Sequence, residues 1–168
     1  MESSANAAVS QPERVEALLF ELAGHRFALP LSDVDELVRA CALQLLPTAP
    51  PPVSGALNLR GEIVPVLELR KRFELEHKRL EPSDYFVLAR RGTRRVALTV
   101  DNVLGIQTLT ALPLAEAPHL SVRIEYVAGI AAVADGVVLI YDLATFLSRT
   151  EAELLERALA ESSVQVAP

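Results

Sequence analysis

The sequence predicts a mainly β protein: two small barrels side by side, each of about five short strands, with short helices and one C-terminal helix. Three observations carry that expectation. Short apolar runs alternate with turn signals from residue 15 to residue 147. Two blocks of the first half recur in the second. Helical periodicity is clearest near the end of the chain.

Composition sets the outer limits. The 168 residues are 51% hydrophobic, enough for one domain or two small ones sharing a core. Lys and Arg total 16 against 22 Asp and Glu, a net charge of −6, so no electrostatic footprint for a phosphate backbone is present and nucleic acid is not expected as a partner. Cys41 is the single cysteine; it can form no internal disulfide, which suits a reducing, cytoplasmic setting. The apolar run Val137–Tyr141 is far shorter than the roughly 20 residues needed to cross a bilayer, so direct membrane insertion is not expected.

In chain order, "MESSANAAVSQPER" (1–14) is small and polar without the layout of a signal peptide, and reads as a flexible tail. "ALLFEL" and "RFALPL" flank Ala23-Gly24 and read as a hairpin, as do "YFVLAR" and "RRVALTV" around Arg91-Gly92. Between these hairpins, "GALNLRGEIVPVLELRKRF" (55–73) reads as a strand pair, and "ELEHKRLEPSD" (74–84) as a charged connector. Pro65 marks its strand as an edge or bulged one, because proline cannot donate to a ladder. "LTALPLAEAPHL" (109–120), with two prolines, reads as a loop within the second half. The β domain thus spans 15–148. Ser148 to Glu151 has capping-box spacing and opens a helix over 149–161, in which Leu154, Leu155, Ala158 and Leu159 form one face packed on the barrels. Residues 162–168 form a second tail.

The repeat is gapless in two blocks. A shift of 69 sets "RFALPLSDVDEL" (26–37) on "RVALTVDNVLGI" (95–106), and a shift of 74 sets 55–73 on "GIAAVADGVVLIYDLATFL" (129–147). The pairs include Arg26 with Arg95, Gly55 with Gly129 and Glu68 with Asp142. Each half is therefore read as one β-subdomain. Positions that agree are most simply framework, and polar positions found in one half only are candidates for contact. Asn58 faces Ala132, Arg60 faces Ala134 and Glu36 faces Gly105, so closing the strand pair requires none of these polar groups.

Arg60 precedes Gly61 and belongs at or beside a turn. Two readings stand for it: a solvated turn residue paired with a carboxylate such as Glu62, or an always-charged fork held ready for a partner's acidic or amide groups. Leu31 and Val34 read as core from their residue types alone. For catalysis the usual constellations are missing. His25, His77 and His119 lack HxxxH or HExxH spacing, Ser54 is not in GxSxG, and no Gly-rich phosphate loop is present. No enzyme, metal or cofactor is expected.

Residues 55–73 closely resemble the signature of the CheW family of chemotaxis coupling proteins, an N-L-R-G turn followed by an apolar strand with proline and an acidic-Leu-Arg end. The similarity extends to "FALPLSDVDELVR", "VALTVDNVLGIQTL" and "EYVAGIAAVADGVVLIYDLATFL", about residues 15–148 in all. It implies two intertwined five-stranded SH3-like barrels acting as a non-catalytic adaptor. One partner would be the cytoplasmic tip of a methyl-accepting chemoreceptor, the other the regulatory domain of a CheA-type histidine kinase, with the protein recruited to membrane receptor arrays. Leu31, Val34, Glu36, Asn58 and Arg60 match family positions associated with receptor coupling. Val100, Asp101 and Val103 are the candidates for the kinase side. The same fold in a non-flagellar chemosensory pathway, controlling type IV pili or a diguanylate cyclase, is an alternative; a small β-barrel enzyme or ligand-binding protein is another. Glu68 in place of the commoner aspartate and the proline-heavy "LPTAPPPVSG" depart from the family pattern.

Overall fold

A computed structural model describes residues 13–112 and 126–165. The first half supplies β1 (Glu13–Leu22), β2 (His25–Pro30), a 3₁₀ turn (Leu31–Asp33), β3 (Val34–Arg39), β4 (Val53–Leu59), β5 (Glu62–Leu67) and the one-turn α1 (Leu69–Arg72). The second supplies β6 (Tyr85–Arg91), β7 (Arg94–Val100), β8 (Asn102–Leu112), β9 (Val127–Val133), β10 (Gly136–Tyr141), a 3₁₀ turn (Leu143–Thr145) and α2 (Arg149–Gln165). Most of the expected 1–14 tail, residues 113–120 of the expected loop and residues 166–168 lie outside the described residues. Where these segments are described, Glu13 and Arg14 open β1, Leu109–Leu112 end β8, and α2 runs to Gln165.

The strands form two five-stranded units, but neither is a half of the chain. A closed barrel has the order β1-β2-β10-β9-β8, and a second sheet the order β3-β6-β7-β5-β4. Each half lends its leading hairpin to the other half's strands. The joins are the parallel pairs, Ala28 beside Ile140 in the first barrel and Ala97 beside Val66 in the second sheet, which are equivalent positions under the two shifts. The sequence repeat thus identifies the repeated unit without revealing the exchange, because which copy a strand pairs with is a long-range choice. A bridge between Gln44 and Ala56, bonded in both directions at 2.9 Å, ties the chain beyond β3 to β4 and curls the second sheet into a barrel.

Local chemistry explains the elements. Ala23-Gly24 and Arg60-Gly61 are two-residue hairpin loops with positive φ at both positions, 51° and 79° in one, 53° and 88° in the other. That is the type I′ geometry whose twist matches antiparallel strands. Pro65 is not on an edge strand: β5 lies between β4 and β7. It is tolerated because β7 pairs only with Val66 and Leu67, leaving the Pro65 position with β4 as its sole ladder neighbour.

Apolar side chains divide by strand parity into separate clusters. Ala17, Leu19, Ala28, Ala131, Val138 and Ile140 fill the first barrel; Leu57, Val64, Val66, Phe86, Leu88 and Ala97 fill the second. The opposite faces of β1, β2, β6 and β7 contribute Leu18, Phe20, Phe27, Leu29, Val87, Val96 and Leu98 to a larger cluster that also takes in Phe73, Tyr141 and Phe146. This common cluster places both barrels around one core.

Leu155, Ala158 and Leu159 of α2 close the common cluster, whereas Leu154 is exposed and lies off the buried face. The capping box is complete: the Ser148 N–H donates to Glu151 Oε1 at 2.9 Å and the Glu151 N–H to Ser148 Oγ at 3.1 Å. Arg72 donates to the Phe146 carbonyl at 2.8 Å and also pairs with Glu151, fixing α2 to α1.

Candidate protein-interaction site

The β4–β5 turn projects Arg60 from one mouth of the second barrel. Its side chain is 74% exposed, yet its Nη2 donates to both oxygens of Glu36 on β3, at 2.8 and 3.0 Å. Because β3 and β4 are the ends of the sheet order, this pair, like the Gln44–Ala56 bridge, spans the seam of the barrel. Asn58 works inside the turn: the Gly61 N–H donates to its Oδ1 at 3.0 Å. It thus holds the geometry that displays Arg60.

Glu36 has a second cation. Arg95 on β7 reaches Glu36 Oε2 through Nη2 and Glu62 Oε2 through Nη1, both at 3.4 Å, and its Nε faces Asp35 Oδ2 at 3.4 Å. Asp35 also pairs with Arg90 at 3.1 Å. Of these, the turn reading had Glu62 as a partner for Arg60; the structure gives Glu62 to Arg95 and Glu36 to Arg60. Arg95 and Asp35 were not singled out from the sequence. Arg95 had been matched with Arg26, and agreement between halves marks framework rather than contact.

Leu31 and Val34 lie where the chain crosses from β2 to β3, at the junction of the barrels. Leu31 is half-buried on the 3₁₀ turn and lines a surface depression with Glu13–Glu16 of β1. Val34 packs against the common core.

The second candidate set is largely internal. Val100 is fully buried, so its side chain offers no surface to a partner, and Val103 is half-buried against the common core. Asp101 accepts from the Ala23 N–H at 2.8 Å and from Arg70 Nη2 at 2.6 Å, with Lys78 at 3.9 Å. It therefore joins the end of β7 to the β1–β2 turn and to α1. Desolvation works to raise the Asp101 carboxyl, but the bonds from Arg70 and the Ala23 amide, with the charges of Arg70 and Lys78, hold it below the usual aspartate value. Beside it, burial pushes the Glu68 carboxyl up, against the opposing pull of the Arg70 amide and nearby cations.

A CheW-like domain model matches residues 16–151, nearly the whole of the described chain. The chain belongs to the CheW-like domain family. It is 27% identical over 143 residues to the chemotaxis protein CheW of Klebsiella aerogenes, covering 84% of this chain and 86% of that one. It is 27% identical over 103 residues to the chemotaxis protein CheA of Bacillus subtilis, of which the match spans 15%. The crystal structure of the scaffolding protein TtCheW from Thermoanaerobacter tengcongensis superposes with a TM-score of 0.74 at 25% identity, covering 83% of this chain and 96% of that one. Fold and family agree: this is a CheW-type scaffold of chemotaxis, from a family of non-catalytic adaptors.

Polar groups of this CheW-like chain also converge around Asp101, where Glu68, Arg70, Lys78, Asp84 and Thr99 line a cavity of about 20 Å³. That is room for roughly one water. Four of its charges are paired, Arg70 with Asp101 and Lys78 with Asp84, each at 2.6 Å, and Glu68 accepts from the Arg70 N–H. Among the described residues, no group of three His, Cys, Asp or Glu side chains is placed to hold a metal, and no helix is long and apolar enough to cross a membrane.

Proposed function

We propose that the protein couples the cytoplasmic tips of methyl-accepting chemoreceptors to a CheA-type histidine kinase, as a scaffold in the cytoplasm recruited to membrane receptor arrays. The observation that carries this reading is Arg60. It is exposed on a strained-φ turn, held in place by Glu36, and replaced by Ala134 at the equivalent turn of the other barrel. A guanidinium that the fold can do without, displayed on a rigid hairpin, suits recognition of acidic or amide groups on a partner. The receptor side comprises Arg60 and Glu36, with Asn58 shaping the turn and Leu31 and Val34 at the barrel junction. Val100, Asp101 and Val103 serve the kinase side through the integrity of the β7–β8 corner rather than through direct contact.

Co-sedimentation with membranes carrying the cognate receptor, with kinase added, tests the proposal. The wild-type protein is expected to bring the kinase into the pellet, and Arg60→Ala to lower its yield while leaving the thermal midpoint nearly unchanged. Sedimentation of the kinase that ignores the protein altogether overturns the coupling role.

A further inference from the structure

Arg26 and Arg95 are equivalent in the repeat, and each stands at the mouth of its own barrel facing the β-turn of the strand pair that follows it around the wall. In the first barrel the arrangement is simpler. Arg26 Nη1 and Nη2 meet the two oxygens of Asp135 at 2.5 and 2.6 Å, Gly105 stands where β3 has Glu36, and Ala134 stands where the other turn has Arg60. In the second barrel the same arginine has gained three carboxylates. Its side chain is mostly buried, 21% exposed, and the guanidinium has Asp35, Glu36 and Glu62 each at 3.4 Å.

We infer that Arg95 is a positioning residue for Arg60, acting through Glu36; this rests on the reading of Arg60 as a receptor contact. Glu36 Oε2 is common to both arginines, 3.4 Å from Arg95 Nη2 and 3.0 Å from Arg60 Nη2. With Arg95 in place, Glu36 is fixed on the barrel wall and presents both oxygens to Arg60. Without it, Glu36 is a carboxylate on an edge strand with one flexible, exposed partner. An arginine ordered before encounter loses less rotamer freedom on docking, so the buried guanidinium raises affinity without touching the partner. Lysine is a poor substitute, because a single ammonium nitrogen cannot occupy the two separate positions from which Nη2 and Nη1 of the planar fork reach Glu36 and Glu62.

A double-mutant cycle on binding to a soluble receptor-tip fragment tests this. Arg95→Met is expected to weaken binding about tenfold in the wild-type background but less than about twofold in Arg60→Ala, and Arg95→Lys to restore little. Equal loss in both backgrounds, or no loss from Arg95→Met where Arg60→Ala alone weakens binding, overturns the inference. NMR of the Arg60 Nε–H group supplies a second reading without any partner. Its heteronuclear NOE should fall in Arg95→Met and hold in Arg26→Met, the equivalent change in the other barrel. An unaltered signal in Arg95→Met contradicts positioning whatever the binding shows. If Arg95→Met does not fold, Arg95→Lys, which keeps charge and loses the fork, is read in its place with the same outcomes. Failure of the receptor reading is separately visible, as Arg60→Ala binding like wild type while the NMR signal still responds to Arg95.

Discussion

The two barrels match in their caps and in the glycine at each seam, and differ in how the seam closes and at their mouths. In the first, β8 runs unbroken and meets β9 through Ala111 and Leu112; in the second, β3 stops at Arg39 and only the Gln44–Ala56 bridge completes the wall. Gly129 and Gly55 stand at the same point of these seams, where the closing strand passes so near that an added Cβ would meet the Leu112 carbonyl oxygen at 3.1 Å or that of Gln44 at 2.7 Å. The exits match as well. The N–H groups of Asp142 and Glu68 donate to the Tyr126 and Pro52 carbonyls, both at 2.7 Å, and each acidic side chain then caps the short turn that follows. The mouths diverge: one arginine–aspartate pair on the first barrel, a network displaying Arg60 on the second. At the mouths, the exposed polar group that one half alone has, Arg60, is the one available for contact.

The largest effect expected concerns the interiors. Phe86 fills the second barrel where the first has Ala17, and Phe86→Ala should destabilise by about 3–5 kcal/mol in urea unfolding. A loss below about 1 kcal/mol would mean that the second barrel collapses onto the smaller filling of the first. Next come the seams. Gly55→Ala should cost about 2–3 kcal/mol, since backbone blocks its Cβ at 2.7 Å, against about 1 kcal/mol for Gly129→Ala at 3.1 Å. The reverse order would place the tighter closure in the first barrel.

Smaller still is the acid response of the tie between barrels. The folded-state pKa of Asp101 is depressed, so its contribution is present above the unfolded aspartate value of about 3.9 and is lost as pH falls through the lower folded value. Urea midpoints followed from pH 7 to pH 3 should fall less steeply below pH 4 in Asp101→Asn than in wild type. Identical slopes would remove Asp101 from the junction. The smallest effect belongs to the first mouth: Asp135→Asn breaks an exposed pair and should leave the thermal midpoint unmoved. A clear drop would show that this mouth, too, depends on its charges.

Strands, hairpins and the repeat were legible in the sequence because alternation and turn residues are local signals. Gly24 and Gly61 announce the tight turns, and Ser148 with Glu151 announces the start of α2. The exchange of hairpins was not legible, since β2 carries nothing that says whether β10 or β5 will lie beside it. At the candidate site the asymmetry of Glu36 and Arg60 was visible, but their pairing across the barrel seam depends on closure, which brings residues 24 positions apart into contact. Arg95 was hidden by its very agreement with Arg26. Val100 and Asp101 lie in a stretch that resembles the family, and only the folded structure shows that the Val100 side chain is internal.

The most direct test of the account compares the two mouths in one titration. Wild type, Arg60→Ala and Asp135→Asn are each titrated with a receptor-tip fragment, with thermal midpoints measured in parallel. Arg60→Ala is expected to bind at least about tenfold more weakly at an unchanged midpoint, and Asp135→Asn to bind as wild type does. Equal affinity in all three, or a loss in Arg60→Ala matched by a collapse of its midpoint, would contradict the assignment of receptor contact to the second barrel's mouth.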